Sequence, residues 1–215
     1  MPASVAPGDE TGIGAPAPAD PSWRRIGLFG GTFDPPHVGH LVTAVNVRHA
    51  LRLDVVLLAV ANDPWQKSHE RQLSPAADRL ALTRAAVGAV PGLEASDLEL
   101  RRGGTSYTAD TLAELGDAHP GAELFLVLGS DAAAGLPTWA RVEEVRRRAR
   151  VVVVTRPGAE DGRPPPGWDW TRVESPRLEV SSTDLRSRVT DGRPLDYLLT
   201  PTVLAAIDAR GLYAG

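Results

Sequence analysis

Val55-Val56-Leu57-Leu58-Ala59-Val60 is a run of six residues without a polar side chain. A strand with one wet face alternates apolar and polar residues, so an unbroken run fits a strand covered on both faces, as in a parallel sheet. Around it, short apolar runs and helical patterns take turns along the chain. Ile26–Phe29, Leu124–Leu128 and Arg150–Val154 read as further strands, and Leu93–Leu100 as a strand that bends. Val38–Leu51, Pro75–Val87, Thr108–Ala118, a stretch from about Arg141 to Arg148, Ser182–Val189 and Pro201–Ala209 read as helices. Ser74 is the expected N-cap of the second, with Pro75 at its first helical position. Arg156–Pro176, dense in Pro, Gly and Asp, reads as a long loop with Val173 in a short last strand. Strands alternating with helices predict an α/β, Rossmann-like, doubly wound parallel sheet. Ligands of such sheets bind beyond the carboxyl ends of the strands, near the point where strand order reverses.

At 215 residues the chain fits one domain with some excess. Residues 1–22, rich in Ala, Pro and Gly, are expected to form a disordered tail, and 23–215 the folded domain. A net charge of -4 gives no basic footprint, which argues against nucleic acid as a partner. The absence of cysteine removes disulfides, thiolate metal sites and cysteine nucleophiles, and is compatible with a reducing cytoplasm. No apolar run is long enough to span a bilayer, so no membrane partner is expected. The oligomeric state is left open, a homo-oligomer included.

The chemistry concentrates in Gly30-Gly31-Thr32-Phe33-Asp34-Pro35-Pro36-His37-Val38-Gly39-His40, which joins the first strand to the first helix. A helix N-terminus carries unpaired N–H groups and a partial positive charge, both suited to phosphate. Gly30 and Gly31 allow close main-chain approach. His37 and His40, three apart in the first helical turn, face the same way, with Gly39 clearing room between them. No His-Glu-x-x-His is present, so this is not a zinc-protease pattern. Near the other end stands Val180-Ser181-Ser182-Thr183-Asp184-Leu185-Arg186. Ser181 or Ser182 would serve as an ordinary N-cap. Arg186 also shares a helix face with Ser182 and Thr183, and two hydroxyls with a guanidinium fork make an oxyanion clamp.

The first string resembles the His-x-Gly-His signature of the nucleotidyltransferase superfamily. The second is similar to the Ile-Ser-Ser-Thr-x-Ile-Arg motif of its bacterial nicotinate mononucleotide adenylyltransferases. Three further segments resemble the same family: Glu99-Leu100-Arg101-Arg102-Gly103-Gly104-Thr105-Ser106-Tyr107-Thr108-Ala109-Asp110-Thr111-Leu112, Gly129-Ser130-Asp131 with Trp139 downstream, and Arg156-Pro157-Gly158. Asn62-Asp63-Pro64-Trp65-Gln66-Lys67 departs from the common Pro-Pro-His-Lys and resembles the actinobacterial branch.

The resemblance implies adenylyl transfer from ATP to nicotinate mononucleotide, giving nicotinate adenine dinucleotide and pyrophosphate. It implies His37, His40 and Arg186 as catalytic donors. Gly30, Gly31, Thr32, Phe33, Gly39, Gly129, Asp131, Arg156, Ser182 and Thr183 would bind ATP. Lys67, Tyr107, Thr108 and Trp139 would bind the acceptor. By ordinary structure alone, Tyr107 and Thr108 would start a helix capped by Ser106 or Thr108, Trp139 would pack in the core, and Lys67 would be a solvated loop lysine. With no carboxylate cage in the sequence, Mg²⁺ is expected to bridge the phosphates. The alternatives on the same fold are nicotinamide mononucleotide or another acceptor, and a non-catalytic ATP-binding module.

Overall fold

The computed structural model describes residues 20–63, 73–88, 90–155 and 162–214. The elements run β1 (Arg25–Gly31), α1 (Val38–Leu51), β2 (Val55–Val60), α2 (Ala76–Val87), β3 (Leu93–Ser96), α3 (Leu98–Arg102) and α4 (Thr108–Ala118). They continue with β4 (Glu123–Gly129), α5 (Ser130–Ala134), α6 (Val142–Arg148), β5 (Arg150–Thr155), β6 (Trp170–Glu174), α7 (Ser182–Asp191) and α8 (Pro201–Arg210). The strands form one sheet in the order β3-β2-β1-β4-β5-β6, every pair parallel. The order reverses between β1 and β4, and there the carboxyl ends of two neighbouring strands part to leave a crevice.

Each face of the sheet has its own core. Along β2, Val56, Leu58 and Val60 join α1, α2, α7 and α8 on one face, while Val55, Leu57 and Ala59 join α4, α5 and α6 on the other. Strand periodicity of two, with both faces covered, accounts for the unbroken apolar run.

Several boundaries differ from the sequence reading for identifiable reasons. Leu93–Leu100 is not one bent strand. β3 stops at Ser96, the partner of Ala59 in the ladder with β2, and Leu98–Arg102 coils into α3. Ser74 does not cap α2. Pro75 takes the N-cap position, while the Ser74 N–H is drawn to the Asp34 carboxylate. The 156–176 stretch contains the whole of β6, pairing with β5 from Val151–Trp170 to Thr155–Glu174. Helix α5 and a single 3₁₀ turn at Leu136–Thr138 follow β4 where no element was expected. No helix among the described residues is long and apolar enough to cross a membrane.

Candidate active site

The turn after β1 is built around a buried ring. Phe33 has φ 50, in the left-handed region, and is 1% exposed. Its ring meets Phe29 and His40 edge-on at 5.9 and 5.0 Å. A Cβ on Gly31 would come within 2.8 Å of this ring, so Gly31 is required by packing beneath the turn. A Cβ on Gly30 would meet nothing within 4 Å, so its bare backbone opens onto free space.

The turn is tied to distant parts of the chain. Arg79 of α2, 1% exposed, donates to the carbonyls of Ser74, Thr32, Ala61 and Asn62 at 2.7–3.1 Å. It thereby joins the segments that follow β1 and β2. Ser182 Oγ donates to the Pro35 carbonyl at 2.9 Å, and Arg186 Nη1 to the Asp34 carbonyl at 2.7 Å. The start of α7 therefore rests directly on the turn, with Ser181 as its N-cap accepting the Asp184 N–H. Arg186 Nη2 also reaches Thr183 Oγ1 at 3.3 Å.

His37 stands at the N-cap of α1 with extended backbone, one position before the helical turn expected to hold it, and His40 is the third helical residue. Their rings stack at 3.8 Å with an interplanar angle of 24°. The His37 N–H donates to His40 Nδ1 at 3.2 Å, which leaves the His40 proton on Nε2 when that ring is neutral. The Val38 and His40 N–H groups are already engaged by the Leu198 and His37 carbonyls, so part of the helix terminus is spent within the fold. Burial lowers the His37 pKa to about 4, so its ring is neutral at pH 7. A Cβ on Gly39 would come within 3.0 Å of both His37 Nδ1 and Val180 Cγ1, so glycine keeps the imidazole in place.

Two cavities open at the β1/β4 switch, and both border Leu128 at the end of β4. The smaller, about 230 Å³, is walled by His37, Gly39, His40, Gly129, Thr155 and Ser175. His37 Nδ1 and Thr155 Oγ1 are buried there without a hydrogen-bond partner among the described residues. Unpaired buried polar atoms are costly, and two beside one cavity mark a place where a ligand can supply the partners. The larger, about 610 Å³, is walled by Gly30, Gly31, Tyr107, Thr108, Asp131 and Trp139.

The Gly103–Ser106 loop brings α4 to this wall by pairing with the segment after β2. Ser106 Oγ accepts the Asn62 N–H at 2.9 Å, and the Ser106 N–H reaches the Asp63 carbonyl at 3.0 Å. Neither Ser106 nor Thr108 caps the helix. Tyr107 is the N-cap and makes no side-chain capping bond, so the positive end of α4 faces the cavity. Glu99, also on the wall and 8% exposed, is held by Thr111 Oγ1 at 2.8 Å. Trp139 is half-buried, with one side against the core of that face.

The structure thus divides the sequence-predicted residues. His37, His40, Gly39 and Gly129 share the smaller cavity. Gly30, Gly31, Thr32 and Asp131, expected from sequence to bind ATP, border the larger one with Tyr107, Thr108 and Trp139. Ser182, Thr183 and Arg186 wall neither cavity and meet the histidines through the turn they support. Phe33 is core, with no exposed face for a ligand. Lys67 and Arg156 lie outside the described residues. Asp34 lies inside the first motif but was given no role from sequence, and Arg79, Thr155, Ser175 and Tyr213 are single polar residues that carry no local pattern.

Residues 28–188 match the cytidylyltransferase-like family model. A probable nicotinate-nucleotide adenylyltransferase of Saccharopolyspora erythraea is 42% identical over 193 residues, covering 89% of this chain and 91% of that protein. One from Streptomyces coelicolor is 44% identical over 190 residues, covering 87% of this chain and 100% of the relative. Among solved structures, a Plasmodium falciparum nicotinic acid mononucleotide adenylyltransferase complexed with NaAD superposes with a TM-score of 0.72 at 17% identity, covering 88% of this chain and 97% of that one.

Proposed function

The chain belongs to the nicotinate-nucleotide adenylyltransferases of the cytidylyltransferase-like family, and on that footing we propose that it transfers the adenylyl group of ATP to nicotinate mononucleotide. The products are nicotinate adenine dinucleotide and pyrophosphate, a step of NAD biosynthesis. The observation that carries this reading is the pair of cavities meeting at Leu128, one with stacked histidines and the other with an uncapped helix start and an indole.

An oxygen of the mononucleotide phosphate forms a bond to the α-phosphorus of ATP as the bond to the bridging oxygen breaks. Pyrophosphate leaves with the electron pair. The attacking group is already an anion, so no general base is needed, and the work is positioning and charge stabilisation. His40, with its proton on Nε2, donates to the phosphates, and His37 joins it across the stack. Arg186 and Ser182 hold the turn, Thr183 accepts from Arg186, and the guanidinium adds positive charge at the rim. Thr155 and Ser175, with Gly129, receive the nucleoside. Tyr107, Thr108 and the start of α4 receive the nicotinate carboxylate, and Trp139 stacks on the pyridine ring. Lys67 and Arg156 complete the acceptor and adenine sides. Nucleotidyltransferases acting on ATP use a divalent cation. Among the described residues no three His, Cys, Asp or Glu side chains could hold one, and a cation held by the triphosphate oxygens would offset their charge.

The test is pyrophosphate release from ATP and Mg²⁺ with a panel of acceptors. Nicotinate mononucleotide should exceed nicotinamide mononucleotide in kcat/KM by about tenfold or more, because the positive end of α4 favours a carboxylate over a neutral amide. Phosphopantetheine should be inert. ATP binding without pyrophosphate release for any acceptor would leave only a nucleotide-binding module.

A further inference from the structure

Asp34 is where the phosphate turn is fastened. It is 1% exposed, and all three of its oxygens are engaged by segments remote in sequence. One carboxylate oxygen accepts the Tyr213 hydroxyl at 2.7 Å, and the other the Ser74 N–H at 3.3 Å. Its main-chain carbonyl accepts Arg186 Nη1 at 2.7 Å. Tyr213 lies beyond α8, 179 residues along the chain from Asp34. Its backbone is left-handed, φ 65, a conformation a tyrosine seldom keeps without tertiary support. The ring packs against the core beneath α1 and α2. Burial, then the Asp34 carboxylate, pushes the phenol above the range in which proteins work, so the hydroxyl remains a donor.

We propose that Tyr213 is a positioning residue for the phosphate-binding turn. By fixing the Asp34 carboxylate it sets the carbonyl on which Arg186 rests and, three residues on, the N-cap at which His37 begins α1. A hydroxyl that only stabilised the fold would act the same wherever it stood. This one meets the turn residue whose carbonyl receives Arg186 of α7. The inference rests on the adenylyl-transfer reading only for its kinetic readout.

Tyr213→Phe keeps the ring and removes the donor. It should lower kcat by about tenfold or more, as sub-ångström misplacement of reacting groups does. The KM for nicotinate mononucleotide should hold, because the His37 N-cap that Asp34 sets walls the smaller cavity and not the acceptor one. A lower thermal midpoint with unchanged kcat would overturn the proposal, since it would reduce Tyr213 to a structural role. In an Asp34→Asn background, Tyr213→Phe should cost little more, and a full second loss would equally overturn it. A third measurement needs no turnover. The chain has 5 histidines, so their ring resonances are separable by isotope-edited NMR. In substrate-free Tyr213→Phe, His37 and His40 should shift while His49 and His119 hold. Unmoved His37 and His40 rings would sink the inference. Moved rings without pyrophosphate release from the unaltered protein would sink the functional reading and leave this inference standing.

Discussion

His37 is an imidazole that the fold holds uncharged. Its pKa falls to about 4 through burial, whereas the unfolded chain titrates near the ordinary imidazole value of about 6.5. Between these values the unfolded chain binds a proton that the folded chain refuses, so stability rises with pH across that window and is lost as pH drops through it. The limit is about 3 kcal/mol at pH 4, from about 1.4 kcal/mol per pH unit for one proton. His119, lowered first by burial and then by Arg24, acts in the same direction. The urea midpoint of the ligand-free protein should therefore be clearly lower at pH 5 than at pH 7.5. His37→Asn should flatten part of that slope, and an unchanged slope would show that the buried ring is not its source. His40 carries a different expectation. It is half-buried and its Nδ1 is occupied, so its loss touches the donor more than the fold. His40→Ala should lose about 10²–10³ in kcat, the usual cost of one phosphate or oxyanion donor, with its circular dichroism unchanged. Normal turnover would remove His40 from the mechanism.

Among the elements, α2 is the one whose role exceeds its packing. Arg79 sits on its buried side and reaches carbonyls on both flanking connections. Arg79→Met would keep the apolar stem but leave the Thr32, Ala61, Asn62 and Ser74 carbonyls without this donor. We expect a loss of about 3 kcal/mol or more in chemical denaturation, as for other broken buried networks. Arg79→Lys should recover little, because one ammonium cannot span the fork. A loss below about 1 kcal/mol in Arg79→Met would mean that water replaces the guanidinium. Elements governed by local pattern were legible in sequence. Val38–Leu51, Val55–Val60 and Thr108–Ala118 are recovered to the residue, since periodicity and end signals lie within each segment. The end of β3 was not legible, because its ladder with β2 closes at Ala59–Ser96, one residue short of the end of β2, where the chain coils into α3. The same divide runs through the site. The two histidines and the Ser182–Arg186 cluster announce themselves as short motifs. Arg79 and Tyr213 owe their roles to contacts 47 and 179 residues away, which no local pattern records.

For the whole molecule, the doubly wound sheet sets the two cavities on different faces of one edge, and the proposed function gives one to each substrate. Phe29 and Leu28, successive residues of β1, point to opposite faces, and each borders a different cavity. Helix α1 serves the smaller cavity and α4 the larger, so the two cavities take their helical walls from separate elements while sharing strands β1 and β4. That separation predicts independent effects on the two Michaelis constants. Trp139→Ala removes an aromatic face from the larger cavity. It should raise the KM for nicotinate mononucleotide by about tenfold, given the worth of an aromatic pair plus its buried area, and leave the KM for ATP in place. Thr155→Val removes a hydroxyl that is unpaired among the described residues. The ligand-free protein should lose no stability, whereas the KM for ATP should rise about three- to tenfold, the value of one neutral hydrogen bond. The double variant should show both changes at their single-variant size, because Trp139 and Thr155 wall different cavities. If Trp139→Ala raised both constants, or the double variant fell far from additivity, the cavities would act as one pocket. The two-faced division of ATP and acceptor across the β1/β4 switch would then be wrong.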